Sequence, residues 1–218
     1  MTTFLLLPGA GGEAWFWHRV VPELAARGHE PLPVEIPADD ESLGWADYVE
    51  IALAALGGER EPVVVGQSMG AYTAALVAEA VPVRHLVLVN PMIPRPGESA
   101  GRWWAAVGQE EARREAGYSG FDLDRDFLHD MPADLVADLR KGGRNQSDRS
   151  FAEPYPLREW PAVPTTVVAA REDRLFPLAL QRRVARERLG LPVVETPGGH
   201  LNALSYPVEV AAALAGVV

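Results

Sequence analysis

The sequence predicts an α/β fold: a mostly parallel sheet of about six strands with helices on both faces. Three observations carry that prediction. A short continuous apolar run stands at residues 4–7 and strand-like stretches at 62–66 and 85–90, as strands covered on both faces require. Stretches with helical apolar spacing stand between them, which implies parallel pairing through right-handed crossovers. Glycines and prolines mark the junctions, at Gly28, at Gly57-Gly58 and in the three prolines of residues 91–97.

In order along the chain, residues 4–7 form a first strand that ends in Pro8-Gly9-Ala10-Gly11-Gly12, a loop rich in positions able to take positive φ. Residues 15–27 show helical spacing through Trp17, Val20, Val21, Leu24 and Ala25. A second strand is expected at 31–36, and a helix at 45–56 follows the acidic loop Asp39-Asp40-Glu41. The strand at 62–66 leads through Gly66-Gln67-Ser68-Met69-Gly70 into an Ala-rich helix, and a fourth strand covers 85–90. Further strands are expected at 165–170 and 191–196, with helices at 178–189 and 207–218. Residues 92–160 break this alternation: they are polar, rich in Trp and Arg, and partly helical at 110–116 and 133–140, with a hydrophilic stretch at 141–150. An insertion between strands at the carboxyl edge of a sheet covers the place where ligands bind. The expectation is one domain, residues 1–218, carrying a lid, with a surface excursion as the plain alternative.

Composition narrows the chemistry. The 218 residues are 48% hydrophobic and 23% charged, as in ordinary globular chains. A net charge of −10 argues against nucleic acid or an anionic membrane as partner. Cysteine is absent, which removes disulfides, thiolate chemistry and zinc–thiolate sites. The first residues lack a basic segment, and no run reaches the roughly 18 apolar residues that span a bilayer. These features predict a cytoplasmic protein needing no metal and no organic cofactor; the sequence leaves a homodimer open.

The motif at Ser68 points to a reaction. Gly-x-Ser-x-Gly between a buried strand and a helix is the sequence form of a nucleophile elbow, a sharp turn that raises a serine hydroxyl above the sheet edge. The bland reading is a tight turn whose serine caps the helix. A serine alcohol needs a base, and the base needs a carboxylate to orient it. In this topology the carboxylate follows a late strand and the histidine follows the last one. Asp173 and His200 stand in those places, and the order Ser68, Asp173, His200 is that of an α/β-hydrolase. Glu172 competes with Asp173, which is preferred as the shorter side chain. His18 on the first helix, His29 in a turn and His85 at a strand start are less well placed, and His129 in the insertion could at most touch substrate. The amides of Met69, just after the serine, and of Ala10 in the first loop are the expected oxyanion donors. That loop has neither Gly-x-Gly-x-x-Gly nor a Lys-Ser/Thr ending, which argues against a nucleotide site. Trp15, Met92, Trp103, Trp104 and Phe127 are the aromatic and apolar candidates for pocket walls, with plain core packing as the alternative.

On these residues the chain resembles the α/β-hydrolase superfamily over nearly its whole length. Pro8 to Arg19, Asp173-Arg174-Leu175-Phe176 and Gly198-Gly199-His200 are similar to the plant methylesterase and hydroxynitrile lyase branch and to bacterial esterase-like proteins. The resemblance implies Ser68 as nucleophile, His200 as base, Asp173 as orienter and a small-molecule ester as substrate. Two departures bear on chemistry. Pro8 stands where the branch usually has a His, so a hydrogen bond bracing the loop is lost. Gly9 stands where hydroxynitrile lyases carry Thr, and Leu201, Asn202 and Ala203 follow His200 where those enzymes have a Lys. Cyanide elimination thereby loses its stabilisers, and hydrolysis of a small or medium carboxylic ester through an acyl-enzyme is favoured. The alternatives are a non-hydrolytic lyase or cyclase, and a small-ligand-binding protein on the same fold.

Overall fold

The computed structural model describes residues 1–141 and 143–218; Gly142, inside the hydrophilic stretch noted above, lies outside the described residues. One sheet contains β1 (Thr3–Leu7), β2 (Glu30–Pro33), β3 (Val63–Gln67), β4 (His85–Val89), β5 (Thr165–Ala170) and β6 (Val193–Thr196). Their spatial order is β2-β1-β3-β4-β5-β6, with every neighbouring pair parallel. From β1 the chain steps outward to β2, then returns to place β3 on the other side of β1. The loops leaving β1 and β3 therefore part company at the carboxyl edge of the sheet, where a crevice opens for a ligand. Both Ala10 and Ser68 lie on those loops.

The period-2 alternation of strands sorts the core into two layers. Leu5, Val64, Leu86 and Val167 pack with α2 (Trp45–Leu56), α3 (Gly70–Ala80) and α9 (Leu178–Leu189). Phe4, Val63, Val65, Val87 and Val168 face α1 (Val20–Ala26) and α11 (Pro207–Ala215) on the other side. Several expected elements are shorter than their patterns, the last strand and the last helix among them, and two of them involve proline. The helix at 15–27 divides into a 3₁₀ turn, Ala14–Trp17, and α1, because Pro22 has no N–H to continue an α-helical ladder back to His18. The second strand pairs only over Glu30–Pro33, and its two prolines are tolerated because β2 is an edge strand.

Between β4 and β5 run α4 (Ala100–Ala106), α5 (Gln109–Glu115), α6 (Leu123–Asp126), α7 (Ala133–Lys141) and α8 (Asp148–Ala152), and a short α10 (Asn202–Ser205) follows β6. Residues 143–150 of the hydrophilic stretch form a strap laid across the loops after β1 and β2, where Gln146 Oε1 accepts from Gly11 N at 3.1 Å. Arg144 Nη1 donates to Ile36 O at 2.6 Å, and Ser147 N donates to Ala38 O at 2.7 Å. Its polar character follows from that position: the loops beneath present backbone groups that need partners. Among the described residues no helix is long and apolar enough to cross a membrane.

Candidate active site

Ser68 sits between β3 and α3 with φ at +51°, a left-handed conformation costly for a residue with a side chain. The turn is held from both sides: Ser68 N donates to Val89 O at 2.9 Å, and Met92 N donates to Ser68 O at 3.0 Å. Its flanking glycines are sterically required. A Cβ on Gly66 would lie 2.7 Å from Ala74 Cβ, and one on Gly70 would overlap Pro8 O. Strand, helix and first loop thus converge on one turn.

A row of three side chains crosses that turn. Ser68 Oγ lies 3.0 Å from His200 Nε2, and His200 Nδ1 lies 2.8 Å from Asp173 Oδ2. The carboxylate accepts, so Nδ1 carries the proton and Nε2 is left to accept the serine O–H. Asp173 is itself fixed. Its Oδ1 accepts from Leu175 N at 2.9 Å and Phe176 N at 2.8 Å, and its Oδ2 accepts from Gln181 Nε2 at 3.2 Å. Glu172 points elsewhere, accepting from Gly198 N at 2.6 Å. His200 is 1% exposed, and its imidazole meets the rings of Phe176 at 4.8 Å and Phe127 at 5.3 Å, both edge to face. A hydroxyl bonded to such an imidazole can lose its proton as it attacks, because the charge formed is met by the carboxylate behind.

The chain carrying His200 is anchored by residues that no motif announces. Asn90 directly follows β4, with φ at +45°. Its Nδ2 donates to His200 O at 3.1 Å and to Asn202 Oδ1 at 3.1 Å, while its Oδ1 accepts from Ala170 N at 2.7 Å. Gln67 Nε2 also donates to His200 O, at 3.3 Å. Asn202 reaches Thr196 Oγ1 at 2.9 Å. One buried amide network therefore ties β3, β4, β5 and the loop after β6 together. From the insertion, Asp130 Oδ2 accepts from Gly199 N and Ser205 Oγ, each at 2.7 Å.

The loop after β1 comes against the serine. A Cβ on Gly9 would stand 3.1 Å from Ser68 Cβ, so glycine permits the approach. Among the described residues no hydrogen bond occupies the amides of Ala10 or Met69. With Pro8 in place of a bracing side chain, the brace comes from the strap. Gln146 Oε1 accepts from Gly11 N at 3.1 Å, and its Nε2 lies within reach of Ala38 O, Tyr48 OH and Ser150 Oγ.

A cleft of about 460 Å³ opens over Ser68, lined by Ala10, Met69, Met92, Trp104, Phe127 and His200 among others. Two expected wall residues lie elsewhere. Trp103 is 1% exposed and points into the core, its Nε1 donating to Ile93 O at 2.9 Å. The seven-residue α4 turns its two adjacent tryptophans in different directions, and only Trp104 meets the cleft. Trp15 stacks on His18 at 4.6 Å outside the cleft. The insertion also supplies Gln109, Arg113, Phe121 and Phe151 to the lining. Arg113 pairs with buried Asp126 at 2.5 Å, and Arg125 bonds the same carboxylate at 2.7 Å. Burial alone would raise Asp126; hydrogen bonds from Arg125 and from the Asp122 amide, with the charges of Arg113 and Arg125, outweigh it and hold it at about 2. Among the described residues no group of three or more His, Cys, Asp and Glu is arranged to hold a metal ion.

Comparison with known proteins agrees with this layout. The model of a family described as the alpha/beta hydrolase family matches residues 4–213. The chain is 33% identical to Esterase PIR7B of Oryza sativa subsp. japonica over 57% of its own length, and that match spans about half (50%) of the rice protein. It is 28% identical to polyneuridine aldehyde esterase of Rauvolfia serpentina, covering 95% of this chain and 92% of the relative. The crystal structure of polyneuridine aldehyde esterase superposes with a TM-score of 0.81 at 19% identity, over 100% of this chain and 99% of that one; at that identity the likeness speaks for the fold.

Proposed function

The chain belongs to the alpha/beta hydrolase family, and from that premise we propose that it hydrolyses a small or medium carboxylic ester through an acyl-enzyme on Ser68. The observation that carries the reading is the row Ser68 Oγ, His200, Asp173, with contacts of 3.0 and 2.8 Å, at the floor of a largely apolar cleft. The esterase names of the rice and Rauvolfia relatives support it.

Ser68 Oγ attacks the ester carbonyl carbon while His200 Nε2 takes its proton. Asp173 offsets the charge on the imidazolium. The tetrahedral oxyanion is received by the Ala10 and Met69 amides, with the positive end of α3 behind Met69. Collapse breaks the bond to the alkoxy oxygen, and His200 returns the proton to the departing alcohol. Water then attacks the acyl group with His200 as base, releasing the carboxylic acid and restoring Ser68. The insertion acts as the lid that shapes the acyl and alcohol subsites.

The test is turnover of p-nitrophenyl esters of increasing acyl length, with Ser68→Ala as the blank. The reading expects turnover that falls by about 10⁵ or more in the variant, as when a triad serine is removed. Turnover that survives Ser68→Ala would point to base chemistry by His200 alone. No turnover of any ester would overturn the hydrolase reading.

A further inference from the structure

Gln109 and Arg113 lie one turn apart on α5 and both line the cleft, although they are only 7% and 6% exposed. The mechanism above uses neither. Gln109 Nε2 donates to Leu175 O at 2.7 Å. A carbonyl accepts only from the N–H end of an amide, so this bond fixes which way the side chain is turned. The other end, Oε1, takes no hydrogen bond among the described residues, and it is not one of the polar atoms sealed away from solvent. Gln109 is part of the cleft lining, so this oxygen is open to a ligand there.

Arg113 is held as firmly. Nε donates to Arg174 O at 3.0 Å, Nη1 to Gly120 O at 2.7 Å and Nη2 to Asp126 Oδ2 at 2.5 Å. A guanidinium has five N–H donors, so two remain. The surrounding wall is apolar: Met92, Trp104, Phe127, Phe151 and Leu175. A fixed acceptor beside spare donors, in a cleft that is mostly apolar away from Gln67, Ser68 and His200, is the pattern of a site that reads one polar group on its ligand.

We propose that Gln109 and Arg113 form a subsite for a free hydroxyl group, and that the preferred substrate is an ester bearing a hydroxyl remote from its carbonyl on an apolar arm. This substrate class rests on the hydrolase reading above. A hydroxyl meets both residues at once, donating its proton to Gln109 Oε1 and accepting from Arg113. A carboxylate could take only the arginine and would face the amide oxygen with a lone pair. An alkyl end leaves both unanswered.

The experiment is calorimetric titration of the Ser68→Ala protein with matched uncleaved esters. One series carries ω-hydroxy, ω-methyl or ω-carboxylate ends on the acyl arm, at several chain lengths; a second carries them on the alcohol arm. The expected result is binding of the hydroxy member about tenfold tighter than the methyl member at one chain length, as one neutral hydrogen bond supplies. That ratio should fall to about one when Gln109→Met is added. Arg113→Met should also lower it, and there Arg125 keeps Asp126 paired. Equal affinity at every length on both arms, a tighter carboxylate, or a preference that survives Gln109→Met would overturn the proposal. If either variant fails to fold, the chain-length series on the parent protein still decides. A hydroxyl preference in binding alongside absent ester turnover by the wild type would sink the hydrolase reading and leave the subsite standing.

Discussion

Replacing Gln146 by Leu tests whether the strap, in place of a side chain at Pro8, holds the oxyanion loop. Gln146 Oε1 accepts from Gly11 N at 3.1 Å. Its two Nε2 protons are shared among Ala38 O at 3.3 Å, Tyr48 OH at 3.0 Å and Ser150 Oγ at 2.6 Å. Leu fills the volume and makes none of these bonds. At about 1 kcal/mol for each lost bond the ceiling is about 3 kcal/mol, and water reaching this half-buried site should reduce the loss to about 1–2 kcal/mol. The effect on rate follows a different path. Ala10, whose amide is the proposed donor, directly precedes Gly11. Losing an oxyanion donor outright costs about 10²–10³ in kcat. The loop keeps the bond from Gly12 N to Gly9 O at 3.1 Å and the bond from Ile36 N to Gly12 O at 2.8 Å, so a partial loss of about tenfold is expected. KM should stay within about twofold, because the donor strengthens only as charge develops. Steady-state kinetics on p-nitrophenyl butyrate should show that split. A trifluoromethyl ketone, which forms a tetrahedral adduct with the serine, should bind about tenfold more weakly. An unchanged kcat and unchanged ketone affinity, with only a lower Tm, would refute the reasoning and make Gln146 a purely structural residue.

Two further perturbations follow from the same geometry. Asn90→Ala removes bonds to His200 O, Asn202 Oδ1 and Ala170 N and leaves alanine at φ +45°. Urea denaturation should show a loss of about 4 kcal/mol, of which Asn90→Gly recovers about 1 by relieving the backbone; equal losses in the two variants would count against a strained backbone. Asp126 is held at about 2 against an ordinary value of 3.8. A depressed carboxylate stabilises the fold above its unfolded pKa and loses that contribution as pH falls through its folded one, so about 2 kcal/mol should disappear between roughly pH 4 and pH 2. In Asp126→Asn that acid-limb slope should be absent, with lower stability at neutral pH because Arg113 loses its partner; parallel stability curves for the two proteins across this range would contradict it.

Much of the scaffold is legible in the chain because its signals are local. The runs at β1, β3 and β4 are apolar enough to read as buried strands, and α2 and α9 each end in a glycine at positive φ, Gly57 and Gly190. Ser68, Asp173 and His200 are legible as candidates because the topology leaves each one place after its strand. Between the two carboxylates after β5 the shorter side chain favours Asp173 from sequence; in the fold Asp173 Oδ2 lies 2.8 Å from His200 Nδ1, while Glu172 turns to Gly198 N. Asn90 and Gln146 carry no motif: an amide at a strand end or in a polar stretch looks the same whether it binds backbone or water. The tryptophan pair on α4 shows a further limit. A seven-residue helix is too short for its sequence pattern to say which neighbour faces the core, and Trp103 does.

The central claim is that the hydroxyl of Ser68 is activated by His200. Its most direct test is mass-spectrometric mapping of the adduct formed with a fluorophosphonate, in the wild type and in His200→Ala. One modified peptide is expected in the wild type, carrying the phosphonyl group on Ser68, with labelling slowed by at least about 10³ in the variant. A wild-type protein that stays unmodified, or one labelled as fast without His200, would contradict it.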